Sequence, residues 1–324
     1  MLNRIPRSLF TRAFRPSNGL RREYSSYPGP ASTTNQPKPL KQSTLSTIYD
    51  LYQSKTPITF ITAHDYITAK LADASPNIDV VLIGDSLAMV SKGYPTTLEI
   101  PFEEYYYACS SVLRGVNNKF VVADLPFGSF ETGLQDCLKS AMKLMKLGKI
   151  GALKIEGAFE YSAEIQRLVS IGIPVMGHIG LQPQKFNAMG GFKVQGKTAN
   201  DALDVYKEAL ELQKLGCSMI LLECVPQKLA RFITENVNIP TIGIGAGNGT
   251  SGQVLVQSDL LGMLDNKPAK FVKQYMNFYE EGLMALNQYG ADVKNSEYPV
   301  NTVHDFKMKT DEFNEFAERA KLLK

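Results

Sequence analysis

Five titratable residues, Asp85, Asp124, Glu156, His178 and Glu223, each close a short apolar run in this 324-residue chain. The runs read VVLIGDS (80–86), FVVADLP (120–126), ALKIEG (152–157), VMGHIG (175–180) and MILLECV (219–225), and a sixth, TIGIGAGNG (241–249), ends in glycines. Two aspartates at equivalent ends of neighbouring runs, followed by Glu156 on the next, suit a hard cation held by oxygen and water; magnesium fits that donor set best. Such an ion polarises a substrate carbonyl as a Lewis acid. The alternative for Asp85 is a helix N-cap shared with Ser86. Lys154 precedes Glu156 by two positions, so the pair shares one side of a strand. There it can hold a substrate carboxylate, form a Schiff base, or pair with Glu156 or Asp124. The surrounding acids favour an electrostatic role. Glu223 follows four apolar residues, and apolar surroundings raise a carboxyl pKa towards the range useful for general acid–base work. His178 is the one histidine of three that ends a run, which suits substrate contact; a core histidine satisfied by hydrogen bonds is its plainer reading. His64 follows the first run and His304 lies in the tail.

The elements that must carry these residues alternate. Continuous β-branched and leucine-rich runs are how parallel strands buried on both faces read, and helical stretches between them make βαβ units. Strands are expected at 56–62, 78–84, 120–124, 152–156, 173–178, 218–223, 239–245 and in QVLVQSDLLGM (253–263). Helices are expected at 64–75, 101–114, 131–147, 158–170, 200–215, 226–236 and 268–289, with 181–199 a long loop. Eight pairs, with polar strand ends spread over most of them, predict a closed (β/α)8 barrel of the TIM type as a single catalytic domain. An open doubly wound sheet would concentrate its site at one switch point.

The formal charge of +3 is set by one end. Residues 1–26 hold six arginines and one acid, Glu23, interleaved with Leu9, Phe10 and Phe14, so the remainder carries about −2. That leader has the composition of a mitochondrial transit peptide and predicts a matrix address. Residues 27–43 are rich in proline, serine and threonine and read as a disordered linker. The catalytic domain is expected at 44–290, and a polar C-terminal extension at 291–324. A near-neutral body offers no basic face for nucleic acid, and no apolar stretch approaches the roughly 18–20 residues of a membrane span. Cys109, Cys137, Cys217 and Cys224 lack zinc or disulfide spacing and read as reduced core thiols. Gly247-Asn248-Gly249-Thr250-Ser251-Gly252 matches G-x-G-x-x-G, but a strand-like run follows it where a dinucleotide site needs a helix.

Taken together, ITAHDY (61–66), IGDSLAMVSKGYPTTL (83–98), ADLPFGSF (123–130), LKIEG (153–157), GHIGLQPQ (177–184), GGFKVQGK (190–197), LLECVP (221–226) and IGIGAGNGTSGQ (242–253) closely resemble the ketopantoate hydroxymethyltransferase family. The resemblance covers about residues 43–290, in order and without large gaps. It implies a (β/α)8 barrel in a high-order homo-oligomer of up to decamer size, with Mg2+ as cofactor and 5,10-methylenetetrahydrofolate as co-substrate. It implies transfer of a hydroxymethyl group to 3-methyl-2-oxobutanoate, through a magnesium-stabilised enolate, to give 2-dehydropantoate in pantothenate synthesis. By motif, Asp85 and Asp124 are metal ligands that also meet the substrate, and Glu156 completes the metal site directly or through water. Ser86 and Lys154 bind the 2-oxo acid, His178 hydrogen-bonds near it, and Glu223 is the catalytic acid/base. His64 departs from the tyrosine that many relatives carry in the T-A-x-D-Y motif. Two rival readings are a phosphoenolpyruvate mutase or isocitrate lyase relative, and a catalytically dead barrel kept for assembly. The first needs a K-K-C-G-H-type loop, and no cysteine falls between Cys137 and Cys217. Intact Asp85, Asp124, Lys154 and Glu223 count against the second.

Overall fold

Eight short strands alternate with helices along the chain, in a computed structural model that describes residues 42–323. They are β1 Ile58–Thr62, β2 Val80–Ile83, β3 Phe120–Asp124, β4 Ala152–Glu156, β5 Val175–Gly180, β6 Met219–Glu223, β7 Thr241–Ile244 and β8 Gly252–Leu255. Every strand is parallel to its neighbours in sequence order, and β8 pairs back onto β1, closing the expected (β/α)8 barrel.

The strands read as unbroken apolar runs because both of their faces are buried. Alternate residues point into the bore, where Phe60, Val80, Phe120, Met176, Met219 and Ile242 form one cluster. The intervening residues, such as Val81, Val121, Leu153, Ile179 and Ile220, face outward under the helices. The helix Phe102–Gly115 shows the matching pattern: Tyr105, Ala108, Cys109 and Val112, one stripe at helical spacing, are buried against the sheet. Its Tyr105 hydroxyl donates to the Ile83 carbonyl at 2.7 Å, tying the helix to the end of β2. Asp65 caps the helix Tyr66–Ala74 by accepting the Thr68 N–H at 2.8 Å.

Several boundaries differ from the sequence reading. The helix Leu45–Gln53 precedes β1 and was not expected; its Ile48 is fully buried and joins the bore cluster, closing the barrel floor. The last two residues of the expected 27–43 linker are held: Gln42 donates to the Lys119 and Lys149 carbonyls, and the Ser43 N–H donates to Asn118 O. Within 253–263 only the first residues continue β8, and Gln257–Leu260 is a helical turn. The helix expected at 268–289 is Phe278–Lys294, so the expected domain edge at 290 falls inside it. The loop expected at 181–199 contains the 3-10 turn Pro183–Lys185 and the short helix Phe186–Met189. The extension carries a helix, Thr310–Lys321, and neither it nor Phe278–Lys294 buries a residue. Residues 1–26 and nearly all of the linker lie outside the described residues. Among those described, no helix is long and apolar enough to cross a membrane.

Candidate active site

The alternation that fills the bore continues upward into different chemistry. β3 sends Phe120, Val122 and then Asp124 inward; β4 sends Ala152, Lys154 and Glu156; β5 sends Met176 and His178. Register sets these side by side, since Asp124 is the Cα partner of Lys154 and Glu156 that of His178. Asp85 enters from the turn two residues after β2, and Glu223 ends β6. All five strand-end groups, with Ser86 and Lys154, line a cavity of about 100 Å³ at the carboxyl ends of the strands. That is the end where barrel enzymes react.

The contacts form a continuous network. The Asp85 N–H donates to Asp124 Oδ2 at 2.9 Å. Lys154 Nζ lies 3.2 Å from Asp124 Oδ1 and 3.2 Å from His178 Nδ1. His178 Nδ1 is 3.4 Å from Glu156 Oε1, and its Nε2 is 3.2 Å from Glu223 Oε2. The Lys154–Asp124 ion pair raised at the sequence level is therefore present, and it is part of the cavity wall. The helix-cap reading of Asp85 is not realised. The turn Leu87–Val90 has no side-chain cap, and Asp85 Oδ2 instead accepts from Gln184 Nε2 at 2.9 Å.

Burial decides the electrostatics. Burial, then the neighbouring Asp124 and Glu156 carboxylates, hold the Asp85 carboxyl well above its ordinary range. Burial opposes charge on Lys154, yet Asp124, Glu156, Asp85 and Glu223 together keep its ammonium more firmly protonated than usual. Burial and Lys154 also oppose charge on His178, but Glu156 and Glu223 outweigh them and raise its pKa to about 9. Glu156 stays below the usual carboxylate range despite burial, because His178 and Lys154 stabilise its anion.

These residues fit a divalent cation in part. Asp124 Oδ1 and Glu156 Oε1 are buried with no aligned hydrogen-bond donor, a costly condition that a ligand would relieve. Adding positive charge beside Asp85 would also favour its ionised form. Among the described residues, however, no three His, Cys, Asp or Glu side chains converge as a ready ligand cluster. Glu156 Oε2 is already taken by the Gln184 N–H at 2.9 Å. Asp85, Asp124 and Glu156 all line the cavity, each with one carboxylate oxygen bound to the protein, and magnesium commonly uses one or two carboxylates with waters filling the rest.

Gln184 was missed at the sequence level. It lies in the quoted stretch 177–184, but its role depends on how the loop after β5 folds back. One residue there bonds Asp85, Glu156 and the Leu125 carbonyl. Glu223 is also held from below. Gly180 sits at φ +89, where a Cβ would lie 2.4 Å from the Glu223 carbonyl oxygen, and Cys224 adopts φ 47. Both are left-handed conformations that turn the chain sharply at the strand end. His64 does not line this cavity; its Nε2 lies 3.8 Å from Asp65 Oδ2. His304 accepts from the Val300 N–H. The glycine run 247–252 leads into β8 and not into a helix. Cys109, Cys137 and Cys217 are buried thiols, and Cys224 is half-buried.

A second cavity of about 620 Å³ adjoins the small one, walled by Met89, Val90, Leu181, Phe192 and Phe271 among others. Ser86, Thr97, Pro183, Glu223, Ile244 and Val256 line both, and Glu223 is the one titratable side chain they share.

Comparison with known proteins identifies the family. A family model described as ketopantoate hydroxymethyltransferase matches residues 42–301. A 3-methyl-2-oxobutanoate hydroxymethyltransferase of Saccharomyces cerevisiae is 47% identical over 284 residues, 86% of this chain and 91% of that protein. Another, of Emericella nidulans, is 45% identical over 286 residues, 87% of this chain and 80% of its own length. A third, from Enterococcus faecalis, is 44% identical over 254 residues, covering 78% and 92%. Among solved structures, a phosphoenolpyruvate phosphomutase from Streptomyces platensis subsp. rosaceus aligns with TM-score 0.52 at 14% identity, over 86% of this chain and 99% of its own. A phosphonopyruvate hydrolase complex with oxalate and Mg++ aligns with TM-score 0.53 at 10% identity, over 86% and 97%. At such identities these two structures speak for the barrel fold alone. The sequence matches speak for more: this chain belongs to the ketopantoate hydroxymethyltransferase family and is an enzyme.

Proposed function

We propose that this member of the ketopantoate hydroxymethyltransferase family transfers the one-carbon unit of 5,10-methylenetetrahydrofolate to 3-methyl-2-oxobutanoate. The product is 2-dehydropantoate, an intermediate of pantothenate synthesis. The observation that carries the reading is the wall shared by the two cavities, because Glu223 faces both. The inner one, about 100 Å³, suits a small 2-oxo acid, and the outer one, about 620 Å³, suits a folate.

Magnesium held at Asp85 and Asp124 would supply Lewis-acid polarisation of the keto group, which acidifies the adjacent C3–H. Lys154 is a permanent cation in the inner cavity and would offset the substrate carboxylate. Ser86, lining both cavities, would donate a hydrogen bond to the same substrate. His178 Nε2 lies 3.2 Å from Glu223 Oε2, close enough to orient that carboxylate. Glu223 would take the C3 proton and pass it toward the folate nitrogen that leaves. The C3–H bond and the two C–N bonds that hold the methylene carbon break, while C3–CH2 and CH2–O bonds form; one folate nitrogen takes the C3 proton and the other takes a proton from water. Water supplies the hydroxyl oxygen, and tetrahydrofolate leaves with both nitrogens protonated.

The test is formation of 2-dehydropantoate from the two substrates, with magnesium and then with EDTA. Absence of product under both conditions overturns the reaction, and full activity in EDTA overturns the metal alone. Two wider parts of the reading are proposals too. The arginine-rich composition of residues 1–26 supports a mitochondrial transit peptide; a fluorescent protein fused behind residues 1–43 that stays outside mitochondria would refute it. The helix Phe278–Lys294 buries nothing and exposes Leu283, Met284, Leu286 and Tyr289, which supports a high-order homo-oligomer. A monomer by light scattering would remove that part.

A further inference from the structure

The outer cavity carries three cations with no part in the chemistry above. Lys193 comes from the loop after β5, and Lys267 and Lys270 come from the segment between Gln257–Leu260 and Phe278–Lys294. The backbone anchors that segment: the Tyr275 N–H donates to Leu260 O and the Phe278 N–H to Leu261 O. Lys92, Lys143, Lys185, Lys207 and Lys214 each lie against a carboxylate. Lys193, Lys267 and Lys270 are in no such pair among the described residues. The acids of the lining are Glu223, at the inner end, and Asp259, whose carboxyl burial pushes above its ordinary range. The lining therefore carries three ammonium groups against two carboxylates, a net positive balance concentrated away from Glu223.

The walls between that mouth and Glu223 are apolar and aromatic, with Phe192 and Phe271 exposed into the opening. A folate has the same polarity order along its length: a flat heteroaromatic head, an aminobenzoyl bridge, then glutamyl carboxylates. With its one-carbon unit at Glu223, the rings lie along the apolar wall and the carboxylates reach the lysines. Resting on the reading of this site as folate-dependent, we propose that Lys193, Lys267 and Lys270 form a subsite for the glutamyl carboxylates of the co-substrate. The subsite favours folates with longer polyglutamate tails.

Exposed ion pairs are individually weak and fall with salt. The effect therefore belongs in KM, grows with the number of carboxylates and fades as ionic strength rises. The experiment compares mono- and pentaglutamyl 5,10-methylenetetrahydrofolate on the unaltered protein, on the triple variant Lys193→Ala/Lys267→Ala/Lys270→Ala, and on the corresponding triple arginine variant. The expected result is a KM about tenfold lower for the pentaglutamate at low salt. That preference is lost in the alanine variant and restored in the arginine one, with the KM for the 2-oxo acid as the control. Equal KM values for both folates on the unaltered protein overturn the subsite, as does full discrimination by the alanine variant. Equilibrium binding of the two tetrahydrofolates reads the subsite without turnover. Preserved discrimination in binding but no product thus counts against the transferase reading and leaves the subsite standing.

Discussion

The floor and the mouth of the barrel bore are built by the same strands with the same inward alternation, and they do opposite work. At the floor, Phe60, Val80, Phe120 and Met176 pack on one another and on Ile48 of the helix beneath. Two or four residues beyond Phe120, Met176 and, on β4, Ala152, the inward positions are Asp124, Lys154, Glu156 and His178, just as buried, with two carboxylate oxygens that no aligned donor meets. Burial makes the first group stable and the second costly. Depth along the strand axis, and not inward orientation, separates residues that hold the fold from residues poised to react.

Three substitutions test that division. Glu223→Gln should fold and still bind the 2-oxo acid, while kcat falls about 10²–10⁴-fold, the usual worth of a positioned proton carrier. Steady-state kinetics beside calorimetric binding checks it, and near-normal turnover would remove the role given to Glu223. Phe120→Ala acts at the floor, where the ring is 2% exposed and abuts Gly151. It should lose about 3–5 kcal/mol in urea unfolding while KM for both substrates stays put at low temperature. A KM that moved in step with stability would break the separation of floor from mouth. Gln184→Ala should have the smallest effect, lowering magnesium-dependent activity by about 10–100-fold, because it frees Asp85 and strips a donor from the Leu125 carbonyl. Rescue by excess magnesium would assign the loss to the metal site; no loss would leave Gln184 a loop residue only.

Most of the frame was legible because its signals are local. Unbroken apolar runs such as VVLI and FVVAD mark strands buried on both faces, and Asp124, Glu156 and Glu223 each terminate one. The helix Leu45–Gln53 was not legible, since its one fully buried residue, Ile48, gains meaning only against a bore that eight distant strands enclose. The helix Phe278–Lys294 is expected ten residues too early because the segment around Pro268 has apolar residues at helical spacing, yet its backbone is drawn back onto Leu260 and Leu261.

The chain's own order of residues determined the repeating units and which acids and bases would stand at the strand ends, because period and termination are properties of neighbours along the backbone. Only closure of the sheet decided that Lys154 lies between Asp124 and His178, that Glu156 is committed to Gln184, and that Glu223 belongs to two cavities at once. Those facts depend on register between strands, on the path of the loop after β5 and on how deeply charge is removed from water, none of which is written in any single stretch of sequence.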